Sequence, residues 1–113
     1  MQKFSTISRF ATKIILPAAV AVVALGSAAQ AETGIASYYP GRFSHSAMTC
    51  AHKTAPFGTH YRVTRLDGKG SVTCTVNDRG PYGKGFVIDL SIGAARNLGI
   101  IRNGIAMVRI DRI

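Results

Sequence analysis

SVTCTVNDRGPY, residues 71–82, runs from an apolar, β-branched stretch into a carboxylate, a guanidinium and a Gly-Pro break. Ser71 to Val76 reads as a strand. Gly80 permits backbone angles that other residues avoid, and Pro81 has no N–H to continue a sheet ladder. Asp78 therefore stands where a rigid strand becomes a loop, a place where functional groups concentrate. Arg79 beside it could hold the carboxylate charged or bind an anionic ligand. The structural alternative is an Asx-type turn with a local salt bridge.

Upstream, His60 to Leu66 is a second strand, joined to Ser71–Val76 through Asp67-Gly68-Lys69-Gly70. An Asp-Gly between two β-rich runs is a strong hairpin signal, which makes Asp67 a turn residue. Further upstream, Thr49 to Thr59 has no period and reads as a fixed irregular segment tied down by Cys50. Gly34 to Tyr39 alternates and reads as the first strand, stopped by Pro40-Gly41. Downstream, Phe86 to Leu90 is a short strand. Ser91 is a natural N-cap for a two-turn helix over Ile92 to Leu98, with Gly99 as its C-cap. Ile105 to Ile113 is the last strand. Five or six short strands and one helix make a small, mainly β domain. A closed barrel suits such a pattern because it leaves no open edge.

The N-terminus follows other rules. Lys3, Arg9 and Lys13 precede an apolar run from Ile14 to Leu25, and small residues lead to Ala29-Gln30-Ala31. These are the charged, apolar and cleavage regions of a secretory signal peptide, expected over residues 1–31. The run is short for a membrane span, and Pro17 and Gly26 interrupt it. No Cys follows the cleavage site, so a lipid anchor is not expected. Glu32 becomes the end of the exported chain and is expected to be mobile. The two cysteines, Cys50 and Cys74, read as a disulfide in an oxidising compartment, with free thiols or a metal pair as alternatives. Such a bridge closes a loop of about 25 residues and contributes roughly 3.5 kcal/mol on the chain-entropy account.

The chain has 14 Lys and Arg against 5 acids. An exported basic domain meets anionic lipid or wall polymer more readily than nucleic acid. No aromatic-and-Arg platform for stacking nucleic acid is visible. The acids are few enough for elimination. Glu32 is terminal, Asp67 is in the turn, and Asp111 alternates with Arg residues and pairs on the surface. Asp78 and Asp89 remain. His60 begins a strand and is expected to be exposed. His52, in the Cys-anchored segment, is the better imidazole candidate, against the alternative of a hydrogen-bonded structural His. No motif for a nucleophilic Ser or Cys, a phosphate loop or a zinc helix is present, and no cofactor or metal is expected. One or two carboxylates, a His and a basic groove fit glycoside chemistry. Ordinary hydrolysis uses two carboxylates. A transglycosylase in which a sugar hydroxyl attacks its own anomeric carbon needs only one, to protonate the leaving oxygen and then assist the hydroxyl.

Four segments together are familiar: Gly34-Ile35-Ala36-Ser37-Tyr38-Tyr39; Thr49-Cys50-Ala51-His52-Lys53-Thr54 with Pro56-Phe57-Gly58-Thr59; Val76-Asn77-Asp78-Arg79-Gly80-Pro81-Tyr82; and Ile88-Asp89-Leu90-Ser91 with Ala94-Ala95 and Leu98-Gly99. In this order the chain resembles the rare lipoprotein A family over nearly all of residues 32–113. The resemblance implies a six-stranded double-psi β-barrel related to expansin and barwin domains. It also implies a periplasmic or wall-facing location and endolytic transglycosylase action on peptidoglycan glycan strands. By position, Asp78 matches the family's catalytic aspartate and His52 its active-site histidine. Asp89 matches the acid of the Asp-Leu-Ser motif in the polysaccharide groove, which Arg79, Tyr82 and Tyr39 would line as substrate-binding residues. Peptidoglycan strands are the expected partner, cell-wall or division-machinery proteins are candidate partners, and the expected state is a monomer. One departure stands out. The family usually carries a T-A-x-G-E-x-F-D segment whose Glu contributes to activity. Pro40 to Met48 is shorter and holds no acid, leaving Ser44, His45 and Ser46 as side chains that could substitute. A non-catalytic, expansin-like wall-binding module is therefore the alternative function.

Overall fold

The computed structural model describes residues 31–40 and 46–113. Residues 1–30 of the expected signal peptide lie outside the described residues, as do Ser44 and His45, while its last residue, Ala31, opens β1. In chain order the elements are β1 (Ala31–Tyr38), β2 (Thr49–Ala51), β3 (His60–Arg65), β4 (Ser71–Asp78), β5 (Phe86–Leu90), α1 (Ile92–Leu98) and β6 (Ala106–Arg112). The six strands close into one barrel in the order β1-β5-β2-β4-β3-β6. Two neighbouring pairs, β1–β5 and β2–β4, run parallel, and the other four are antiparallel.

Side chains of a strand alternate between faces, so each strand sends every second residue inward. Ala36, Tyr61, Val63, Val72, Cys74, Val76, Ile88, Leu90, Val108 and Ile110 fill the interior. Cys50 and Cys74 are bonded to each other within this core, with Cα atoms 5.8 Å apart. The β3–β4 hairpin turns where the sequence indicates. Asp67 accepts from the Arg65 guanidinium and from the Lys69 N–H, and is spent on the turn. Asp111 likewise pairs with Arg109 on the surface, and His60 is exposed. Helix α1 is capped at both ends. The Ser91 hydroxyl accepts from Ala94 N–H, and Gly99 takes the left-handed conformation at φ 82°, donating to Ala95 O and Arg96 O.

Two sequence expectations are corrected. Thr49–Ala51 is a strand, not part of an irregular segment. Three residues give no readable period, and pairing with β4 and β5 on either side makes them β. Glu32 is not a mobile end. It lies in β1, paired with Ile110 of β6, and its carboxylate meets His52.

Candidate functional site

The site is a row of residues across four strands. Ser37 of β1 lies opposite Asp89 of β5, Asp89 opposite Ala51 of β2, and Ala51 opposite Asp78 of β4. Laterally paired residues share a sheet face, so both carboxylates belong to one face with an alanine between them. Two inter-strand steps place their Cα atoms about 10 Å apart.

Irregularities in the ladders create this row. Between Cys50 and Ala51 the β2–β4 register jumps from Val76 to Asp78 and skips Asn77. Between Ile35 and Ala36 the β1–β5 register jumps from Phe86 to Ile88 and skips Val87. Without the first jump Ala51 would face Asn77; without the second Ser37 would face Ile88. Each extra residue re-aims an acid, a common use of a bulge.

The two carboxylates differ. Asp89 is half-buried, and its Oδ1 accepts from the Ser37 hydroxyl at 3.0 Å. Burial pushes its pKa up, the Ser37 bond opposes this, and the Asp78 charge adds to the rise. Asp78 is exposed, and its Oδ1 accepts from the Arg79 backbone N–H at 2.8 Å. Tyr39 stands close enough to feel both. Burial first, then the charges of Asp78 and Asp89, push its phenol pKa upward. It is a neutral hydroxyl beside two acids.

Arg79 does not hold the Asp78 carboxylate with its guanidinium. It donates to His52 O at 3.2 Å and Ala55 O at 2.8 Å, and stacks 4.4 Å over the Phe57 ring. The side chain clamps the 52–57 loop, and only its backbone serves the carboxylate. Tyr82 is 78% exposed, in the loop just beyond Asp78.

His52 is 4% exposed, and both of its ring nitrogens have partners. Nδ1 accepts from Thr54 N–H and Ala55 N–H. Nε2 faces the Glu32 carboxylate at 3.1 Å and the Tyr61 hydroxyl at 3.4 Å. No ring contact to Asp78 or Asp89 exists among the described residues. The backbone is nearer the row, since His52 N–H donates to Asp78 O at 3.2 Å. Sequence reasoning missed Glu32 and Ser37. Ser37 was legible only as a residue of the first strand and its motif, and Glu32 needs the barrel closed before it reaches His52. Among the described residues no three His, Cys, Asp or Glu groups converge as metal ligands.

The lytic transglycolase family matches residues 31–110. The chain is 44% identical, over 87% of its length, to the probable endolytic peptidoglycan transglycosylase RlpA of Synechocystis, covering 36% of that protein. It is 43% identical, over 81% of its length, to the endolytic peptidoglycan transglycosylase RlpA of Campylobacter jejuni, again covering 36%. The chain thus spans little more than a third of these relatives. Among solved structures it is similar to an expansin of Clavibacter michiganensis, with TM-score 0.60 and 26% identity over 74% of this chain and 50% of that one. A variant of that expansin in complex with cellohexaose matches with TM-score 0.59 at 25% identity, over the same shares of the two chains. With a closed six-stranded barrel, the shared motifs and the family match over residues 31–110, this chain belongs to the rare lipoprotein A (RlpA) family of lytic transglycolase domains.

Proposed function

We propose that this domain cleaves peptidoglycan glycan strands in the bacterial envelope as an endolytic lytic transglycosylase. The observation that carries this reading is the asymmetric carboxylate pair. Asp89 is half-buried and holds its proton more tightly than an ordinary aspartate, which suits a general acid. Asp78 is exposed, and its Oδ1 accepts from the Arg79 backbone N–H. Asp89 would protonate the glycosidic oxygen as the C–O bond breaks. Asp78 would accept the proton of the sugar's own hydroxyl as that oxygen bonds to the anomeric carbon. No water is consumed, the product carries an internal anhydro ring, and the two acids exchange one proton with solvent to reset. Tyr39 and Ser37 supply hydroxyls beside the pair, and exposed Tyr82 offers a ring face for a sugar.

A second reading has its own support. Both ring nitrogens of His52 are engaged inside the fold, and the expansin likeness includes a complex with cellohexaose. A binding module would use the same row without turnover.

The test is mass spectrometry of glycan strands, with and without stem peptides, incubated with the purified protein and its Asp78→Asn variant. Anhydro ends that fall at least about 100-fold in the variant support the transglycosylase. Ordinary reducing ends would mean hydrolysis. Intact strands that still co-sediment with the protein would leave a binding module.

A further inference from the structure

We propose that Glu32 is a positioning residue of the carboxylate row, acting through His52. The site has two acids on the row itself, and the third acid that the fold brings near it is not on the row. Glu32, in β1, meets a buried imidazole. The Nδ1 of that imidazole accepts from two backbone N–H groups, Thr54 at 3.2 Å and Ala55 at 3.0 Å. A nitrogen facing two donors carries no proton, so the ring proton is on Nε2. Nε2–H then donates to Glu32 Oε2 at 3.1 Å. Tyr61 stacks on the ring with centroids 5.0 Å apart, and its hydroxyl accepts from Arg112. One imidazole face is thereby packed, and the carboxylate reinforces the tautomer that the two N–H groups select.

The tautomer matters because of what His52 holds with its backbone. Its N–H donates to Asp78 O, and its carbonyl accepts from the Arg79 guanidinium. Ala51, the preceding residue, stands between Asp78 and Asp89. Without Glu32, Nε2–H keeps only the longer contact to the Tyr61 hydroxyl at 3.4 Å, and a proton on Nδ1 becomes less unfavourable than in the parent. There it would confront the Thr54 and Ala55 N–H groups and push the 52–55 loop away. The strand end that spaces the two carboxylates would move with it. On this account His52 transfers no proton. It transmits the position of β1 to the row, and Glu32 keeps it in the state that does so.

The functional half of this proposal rests on the transglycosylase reading; the structural half does not. The experiment compares the protein with Glu32→Ala and Glu32→Gln, using nitrogen-15 NMR of the His52 ring and kinetics on denuded glycan strands. Glutamine keeps an oxygen to accept from Nε2–H. Expected is a single Nε2–H tautomer in the parent and in Glu32→Gln. Glu32→Ala should show mixed or exchanging tautomers. Its kcat should be lower by about 10- to 100-fold, the size of effect that small misplacements of reacting groups produce, at unchanged KM. Near-parent kcat in Glu32→Gln completes the case. An unchanged tautomer and kcat in Glu32→Ala would overturn it, as would a Glu32→Gln variant as impaired as Glu32→Ala. If the parent cuts nothing, the transglycosylase reading fails, and the ring spectra alone decide whether Glu32 governs His52.

Discussion

At the scale of single residues, the site is defined by how differently it treats similar groups. Asp89 and Asp78 are both strand-end aspartates, yet one is half-buried against Ser37 and the other is exposed. Burial raises the native pKa of Asp89 above its ordinary 3.8. The native state therefore prefers the protonated form. The stability this gives is fully present below the unfolded value and is lost as pH rises through the native one. At neutral pH the ionised side chain is a cost to the fold. Asp89→Asn keeps an oxygen for Ser37 and removes the charge. Its urea midpoint should exceed the parent's at pH 7, and the gain should shrink towards zero below pH 3.8. A midpoint below the parent's at neutral pH would show that the carboxylate is not strained there. A gain in stability alongside loss of turnover is the usual signature of a functional group held against its preference.

At the scale of elements, short pieces are held by specific hydrogen bonds more than by their own propensity. Helix α1 has seven residues, too few to be stable alone. Ser91 makes it possible, and does more than cap it. Fully buried, its hydroxyl accepts from Ala94 N–H and from Thr49 N–H, and donates to Ala47 O. The same oxygen thus starts the helix and anchors β2, the strand between the two carboxylates. Ser91→Ala should cost about 1–3 kcal/mol, the upper end exceeding an ordinary cap because buried partners are left unpaired. Thermal melts measure this, and a loss under 0.5 kcal/mol would mean that water replaces the hydroxyl. The 52–57 loop follows the same logic. The Arg79 guanidinium satisfies two of its carbonyls and covers Phe57, so this side chain helps to frame the loop.

At the scale of the whole molecule, the barrel is small and its interior is made mostly of Val, Ile, Leu and Ala. Domains of this size are close to the limit of what a core alone supports. The Cys50–Cys74 bridge joins residues 24 apart in sequence, and constraining the unfolded chain to that loop contributes roughly 3.5 kcal/mol. Replacing both cysteines by Ala should lower the unfolding free energy by about 2–4 kcal/mol in chemical denaturation. A loss below about 1 kcal/mol would mean that the closed barrel and α1 suffice. Since β2 carries Cys50 next to Ala51, the row between Asp78 and Asp89 should loosen along with the fold.

Much of this was readable from residue order alone. The β3–β4 hairpin follows from Asp67-Gly68, the α1 boundaries from Ser91 and Gly99, and the pairing of Cys50 with Cys74 from their being the only two cysteines in the sequence. These are local signals, set by backbone angles, caps and composition, and they survive into the folded state. Elimination among five acids also singled out Asp78 and Asp89. What residue order could not decide was their relation. Asp78 and Asp89 share a row because two strand ladders each skip a residue, and a bulge depends on both partners, whereas periodicity sees one strand at a time. For the same reason Glu32 read as a loose end and Arg79 as a partner for the Asp78 carboxylate. Closing the barrel carried Glu32 to His52 and turned Arg79 to the loop carbonyls, because buried donors and acceptors from distant segments had to satisfy one another.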